Sequence, residues 1–293
     1  MLKSPLRYPG GKSKAINQIV EYLPENFSEF REPFVGGGSV FIYLKQKFPD
    51  IKVWINDLNT ELFLFWKFAQ SNIAELVKEI RHIKVKHKDG KLLFVELTSV
   101  NVNNLSDFER AVRFFVLNRI TFSGTVESGG FSQEAFHKRF TDSSIERLEK
   151  LESILAKNLE ITNLDYSYLL QKEGEKVFLF LDPPYFSATK SKLYGKDGDL
   201  HTSFQHQIFA ELLQQCHHQW LITYDDSPQI RENLQWANLS EWELQYGMNN
   251  YKQSGAAKGK ELFITNYKLK LDLNKKLQNQ NLMNAALQLS LDL

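Results

Sequence analysis

The chain has a single cysteine, Cys216, in 293 residues. That excludes an internal disulfide and a zinc site built from several thiolates. The seven histidines show no metal-ligand spacing, His217-His218 reads as a surface pair, and no metal is expected. No apolar run approaches the ~20 residues of a membrane-spanning helix. Met1-Leu2-Lys3-Ser4-Pro5 lacks the apolar segment of a signal peptide, so a cytoplasmic protein is expected. A formal charge of only +1 neither demands nor forbids nucleic acid, and local clusters decide that question. No internal repeat is visible. A phosphate-binding P-loop is missing too. Gly11-Lys12-Ser13 ends like one, but Leu6 stands where the pattern requires its first glycine.

What the chain does have is aromatic bulk. Its 22 Phe, 11 Tyr and 5 Trp can fill a sizeable core. The length suits one large α/β domain, or one domain with an insertion. Short apolar strands alternate with helical patterns. Arg31 to Val35, Val53-Trp54-Ile55, Leu159 to Thr162, Val177 to Leu181, Trp220 to Tyr224 and Leu262 to Tyr267 read as strands. Helices are predicted over Ser39–Phe48, Asp107–Asn118, Ser143–Ala156 and Phe204–Gln215. This alternation predicts a doubly wound, largely parallel α/β sheet. Residues 69–157 are helical and loop-rich and read as an inserted domain, dividing the sheet domain into 1–68 and 158–273. Residues 274–293 form a tail rich in Asn, Gln and Leu.

Two segments carry chemistry. Phe34-Val35-Gly36-Gly37-Gly38-Ser39 is a glycine turn between a strand and a helix, where a ligand can approach the backbone. Asp57 follows at the end of the next strand, nineteen residues past Gly38, where a carboxylate can accept from ribose hydroxyls. The turn is not a strict G-x-G-x-x-G, because Phe41 holds its last position. The second segment is Asp182-Pro183-Pro184-Tyr185, directly after the apolar run Val177 to Leu181. The prolines fix φ and cannot extend a ladder. Asp182 and the Pro183 carbonyl are acceptors, and Tyr185 offers a π-face. Together they suit a planar ring bearing an exocyclic amine, such as adenine or cytosine turned out of a nucleic-acid strand.

In order along the chain, several segments resemble the Dam-type DNA adenine N6-methyltransferases. They are Tyr8-Pro9-Gly10-Gly11-Lys12, Glu32 to Phe41, Asn56-Asp57, Asn118-Arg119, Asp165-Tyr166, Asp182 to Tyr185 and Lys260-Glu261-Leu262. The resemblance implies a Rossmann-like methyltransferase sheet, S-adenosylmethionine as methyl donor and double-stranded DNA as substrate. By resemblance, Tyr8, Lys12 and Phe34 to Ser39 surround the donor, together with Asp182. Asp57 takes its ribose, and Asp165 reads its adenine with Tyr166 beside it. Asp182, Pro183, Pro184 and Tyr185 hold the flipped base, and the insert becomes the target-recognition domain. Lys12 and Asp165 keep plainer readings, as a solvated helix-start lysine and as the start of a turn. Cys216 is expected to be dispensable, since methyl transfer to an exocyclic amine requires no covalent enzyme intermediate.

For DNA, Arg119, Lys252, Lys258 and Lys260 are the candidate contacts. Arg119 reads equally as structural. Arg81, Lys84, Lys86, Lys88 and Lys91 suit phosphate contacts or a plain solvated segment. The loop from Ser123 to Phe136 is Gly- and Ser-rich; it departs from GATC-reading relatives, whose loop continues with aromatic and arginine residues this chain lacks, so a different target is expected. A monomer is expected, acting alone or beside a cognate restriction endonuclease. Two alternatives stand at this point. Cytosine N4 methylation would use the same acceptors, although Ser is commoner there in place of Asp182. A DNA-binding module on the same fold would need no chemistry at all.

Overall fold

The computed structural model of the chain describes residues 1–126, 129–186, 203–245 and 258–269. Among them, seven strands form one sheet: β1 (Glu29–Glu32), β2 (Lys52–Asn56), β3 (Leu159–Thr162), β4 (Val177–Leu181), β5 (Gln219–Asp225), β6 (Asn238–Gln245) and β7 (Lys258–Thr265). Their spatial order is β3-β2-β1-β4-β5-β7-β6. The first five in that order are parallel, and β7 lies antiparallel between β5 and β6. The expected mostly parallel α/β sheet is present, with an antiparallel edge.

β4 is buried at all five positions because both faces of the sheet are covered. Strand alternation sends Phe178 and Phe180 into one hydrophobic cluster and Val177, Leu179 and Leu181 into the other. β1 ends at Glu32, short of the expected Val35, because Pro33 has no N–H for the ladder. β6 escapes the sequence pattern. It is an edge strand rich in polar residues, with Trp242 stacked on Phe263 of β7 at 4.3 Å.

The expected helix over 143–156 is interrupted, giving Asp142–Glu149 and Glu152–Leu155. The apolar spacing continues through Leu148, Leu151 and Leu155, all buried. The amides of Leu151 and Ile154, however, bond three residues back rather than four, which tightens the turn. The helical stretch also lacks a core of its own. Leu76, Ile80, Phe115 and Leu148 join the same cluster as Phe30, Val53 and Phe178 of the sheet. Phe65 and Phe115 stack at 5.8 Å across that junction, and the expected boundary at residue 68 falls inside the helix Thr60–Ser71.

The helix Asp107–Ile120 anchors this layer. A capping box between Ser106 and Glu109 starts it, and its last turn holds the N-terminal segment. Asn118 accepts from the Arg7 amide at 2.9 Å and donates to the Arg7 carbonyl at 2.6 Å. Arg119 donates to the carbonyls of Pro5, at 2.9 Å, and Arg139, at 2.8 Å. This corrects the reading of Arg119 as a DNA contact. It is 5% exposed and spends its guanidinium inside the fold. Burial, with Arg7, Arg147 and Arg139 nearby, pushes its pKa down.

Replacing Arg119 strands buried carbonyls. Arg119→Ala should cost about 2–4 kcal/mol, seen as a lower urea midpoint. The salt dependence of DNA binding by the folded variant should keep the wild-type slope. A shallower slope with unchanged stability would restore a phosphate role.

Candidate active site

β1 and β4 are neighbours whose chain connections leave in opposite directions. Ligands bind beyond the carboxyl ends of strands at such a switch point. A cavity of about 820 Å³ opens there. It brings together Tyr8, Lys12, Phe34 to Ser39, Asp57, Asp165, Tyr166 and Asp182 to Tyr185, and Lys260 lines it too.

One half of the cavity is built on the glycine turn. Gly36 has φ +46°, and a Cβ there would sit 2.8 Å from Tyr8 Cε1, so the Tyr8 ring presses on bare backbone. Gly38, at φ +69°, starts the helix Ser39–Lys47 from the left-handed region. Trp66 donates its indole N–H to the Gly36 carbonyl at 3.1 Å, and the Ser4 hydroxyl donates to the Gly37 carbonyl. Asp57 is tied in from the side. Its Oδ2 accepts from the Gly36 amide and its Oδ1 from the Asn59 amide, each at 3.0 Å. Burial raises its pKa to about 6, with those two amides pulling the other way. Glu32 is buried, accepts from the Phe41 amide at 3.0 Å, and is pushed well above the ordinary carboxyl range by desolvation. Phe34, Tyr166 and Phe204 make an aromatic wall, with ring centroids 5.3 to 5.9 Å apart.

Asp165 does two things at once. It caps the helix Tyr166–Gln171 by accepting from the Ser167 amide at 2.9 Å, and it lines the cavity. Asn56 stitches three strand ends together. It donates to the carbonyls of Pro33 and Leu164 and accepts from the Leu164 amide and the Thr162 hydroxyl.

The other half is organised around Asp182. Lys12 Nζ donates to Oδ1 at 2.6 Å and Oδ2 at 2.7 Å, and also to the Gly10 carbonyl at 2.9 Å. Lys12 is only 4% exposed, so it is not the solvated lysine of its plainer reading. Thr223 of β5 donates to Asp182 Oδ1 at 2.8 Å. Oδ1 therefore takes two donors and Oδ2 one, which leaves Oδ2 an acceptor direction. The Tyr185 hydroxyl donates to Glu261 Oε2 at 2.9 Å, and its ring centroid lies 5.1 Å from Lys12 Nζ. The next amide, of Phe186, donates to Asp225 Oδ1 at 2.8 Å.

Sequence reasoning gave no role to Thr223, Glu261, Asn56 or Asp225. The signal available for Thr223 and Asp225 was position. Both sit at the carboxyl end of a strand expected to lie parallel to β4, so both had to face the same mouth. Of the remaining candidate DNA contacts, Lys258 opens β7, Lys260 is exposed at the cavity, and Lys252 lies outside the described residues, as does the tail over 274–293. The basic segment is partly neutralised. Arg81 pairs with Glu149 at 2.7 Å and Lys84 with Asp142 at 3.0 Å, while Lys86, Lys88 and Lys91 are exposed. Among the described residues, no group of His, Cys, Asp and Glu could hold a metal, and no helix is long and apolar enough to cross a membrane.

Comparison with known proteins finds DNA methyltransferases. The type II methyltransferase M.MjaIII of Methanocaldococcus jannaschii is 28% identical over 211 residues, covering 66% of this chain and 72% of its own. The type II methyltransferase M1.LlaDCHI of Lactococcus lactis is 25% identical, covering 89% of this chain and 94% of its own. A DNA adenine methylase of Vibrio cholerae is 23% identical over 61% of this chain and 64% of its own. A family model described as D12 class N6 adenine-specific DNA methyltransferase matches residues 8–248. That match begins at Tyr8, the first residue lining the cavity, and ends past β6; the chain belongs to this family of adenine-specific DNA methyltransferases.

Proposed function

We propose that the cavity holds S-adenosylmethionine on its glycine-turn side and a flipped adenine of double-stranded DNA on its Asp182 side. The observation that carries this reading is the meeting of both halves in one space, with Lys12 and Asp182 at the seam. Asp57 fits the donor's ribose. Each of its oxygens accepts one backbone amide and keeps a lone pair for a hydroxyl. Gly10 leaves its backbone open, since a Cβ there would meet no protein atom within 4 Å. Asp165, at the helix start, is an acceptor for the donor's adenine amine, and Tyr166 with Phe34 supplies apolar wall.

When bound, S-adenosylmethionine supplies an electrophilic methyl group. The chain's own work is to present the amine. Asp182 Oδ2 and the Pro183 carbonyl accept the two N–H bonds of adenine N6, which draws the lone pair out of conjugation with the ring. Lys12 and Thr223 aim the carboxylate, and Tyr185 covers a face of the base. Asp182 is placed to take the proton that the amine sheds. Positioning in a water-poor pocket supplies the rate, with no nucleophilic side chain involved.

The helical stretch over 69–157 is the part we assign to target recognition. Phe122 is 65% exposed on a turn where Ser123 adopts φ +54° and Thr121 bridges to Phe131. An exposed aromatic on a stiff turn suits insertion between base steps. Lys260, at the cavity rim, suits a backbone phosphate of the flipped nucleotide. The names of the two type II relatives support a role beside a restriction endonuclease. We take the working unit to be a monomer in the cytoplasm. Membership of an adenine-specific family decides against the cytosine N4 alternative.

Incorporation of tritiated methyl into unmethylated genomic DNA tests the assignment. Asp182→Ala should lower kcat by at least about 10²-fold. Wild-type turnover in that variant would sink the mechanism. Donor affinity should depend on pH through Asp57. Its ionised form accepts hydroxyls, and the value near 6 means that this form is lost on acidification. Calorimetric donor Kd should weaken about tenfold between about pH 7 and pH 5, and Asp57→Asn should be weak and pH-independent. Phe122→Ala should raise KM for DNA and leave donor Kd unchanged.

A further inference from the structure

Glu261 is a carboxylate only 1% exposed, on a strand outside the parallel part of the sheet. Because β7 runs antiparallel to β5, its early residues lie beside the carboxyl end of β5. Glu261 pairs in register with Asp225, which lines the cavity, so the reversed strand places a buried acid just behind the cavity wall, where a parallel strand would have carried it to the opposite edge. Its Oε2 accepts from the Tyr185 hydroxyl at 2.9 Å. Thr223, on the strand between them, donates to Asp182 at 2.8 Å and also faces the Tyr185 phenol. Glu261, Tyr185, Thr223 and Asp182 thus form one polar chain across β7, β5 and the end of β4.

We infer that Glu261 is a positioning residue for the target base: it fixes the Tyr185 ring across the pocket, and the efficiency of methylation follows its charge. This rests on the reading of Asp182 to Tyr185 as the base-holding mouth. A buried carboxylate is costly unless a donor engages it, so its retention opposite a tyrosine hydroxyl is explained by the bond it accepts. Among the described residues, the charged and titratable groups that act on it include Lys12 from the N-terminal loop, Asp182 and Tyr185 from the end of β4, and Asp225 from β5. Burial raises Glu261 to about 7. Lys12 and the Tyr185 bond pull its pKa down, while Asp182 and Asp225 push it up. The value lies above that of an ordinary carboxyl, so the charged, stronger acceptor is progressively lost as the pH falls through about 7. Acidification weakens the hold on Tyr185.

The test uses the full chain with unmethylated genomic DNA and tritiated S-adenosylmethionine held at saturation, so that titration of Asp57 does not enter. For the wild type, kcat/KM for DNA should fall as pH drops through about 7. Glu261→Gln keeps an acceptor oxygen and loses the charge. It should stay within a few-fold of wild type near pH 7, and that limb should disappear. Glu261→Ala should lower kcat/KM by about 10- to 100-fold, with calorimetric donor Kd unchanged. In a Tyr185→Phe background, Glu261→Gln should add nothing further. A wild-type pH limb in Glu261→Gln, or wild-type efficiency in Glu261→Ala, overturns the inference. An equal loss of donor affinity in Glu261→Ala also overturns it, by showing a merely structural role. Absence of methyl transfer to adenine by the wild type would instead remove the reading beneath it.

Discussion

β4 can run no further than Leu181, because neither Pro183 nor Pro184 carries an N–H to offer a neighbouring strand. Its neighbour β1 stops at Glu32 for the same reason, with Pro33 next. Two adjacent parallel strands at the centre of the sheet are thus cut short at the same edge. Behind them lie residues buried on both faces. Ahead of them the backbone is released from the ladder in a fixed direction. The cavity follows from that double termination. The glycine turn leaves from β1, the Asp182–Tyr185 segment leaves from β4, and each begins with a carboxylate, Glu32 or Asp182, at the last point the sheet can hold rigidly.

The second layer of organisation is the way the N-terminal loop is held over this gap. Lys12 reaches Asp182 from a segment with no strand of its own. Its position is set from the outside, by Asn118 on the Arg7 backbone and by Arg119 on Pro5. Gly124, at φ +79°, brings its carbonyl to the Asn118 amide and lies so close to Arg7 that any side chain would collide. The helix Asp107–Ile120 and the turn after it are therefore one mechanical unit with the loop that presents Lys12. A displacement of that turn would be felt at Asp182 through a few hydrogen bonds.

Much of this was legible in the sequence because it is written locally. The strand before Asp182, the proline pair, the glycine turn and the spacing to Asp57 are each contained in a short window. What escaped is written in pairs of distant residues. Thr223 meets Asp182 across 41 positions and Glu261 meets Tyr185 across 76. Nothing near Thr223 marks it as more than part of a buried strand, and the resemblance at Lys260-Glu261-Leu262 flagged Glu261 without giving it a role. Arg119 stayed open between two readings for a related reason: an arginine beside a polar loop resembles a phosphate contact until the carbonyls that consume it are placed. β6 was missed because an edge strand with one buried face carries too few apolar residues to announce itself. The helix break near Leu151 was invisible because apolar spacing survives a local tightening of the turn.

The clamp on the N-terminal loop also bears on how the chain is made. Residues 5–12 leave the ribosome well before their partners. Asn118 follows Arg7 by 111 positions, and Asp182 follows Lys12 by 170. β1 gains β2 early but waits for β4 to fill its other side. Contacts of such long sequence separation form slowly. During synthesis, Lys12 and the open edge of β1 therefore remain unsatisfied until β4 and Asp182 have emerged. The newborn chain is most exposed to mispairing in the interval when its future active site is only half made.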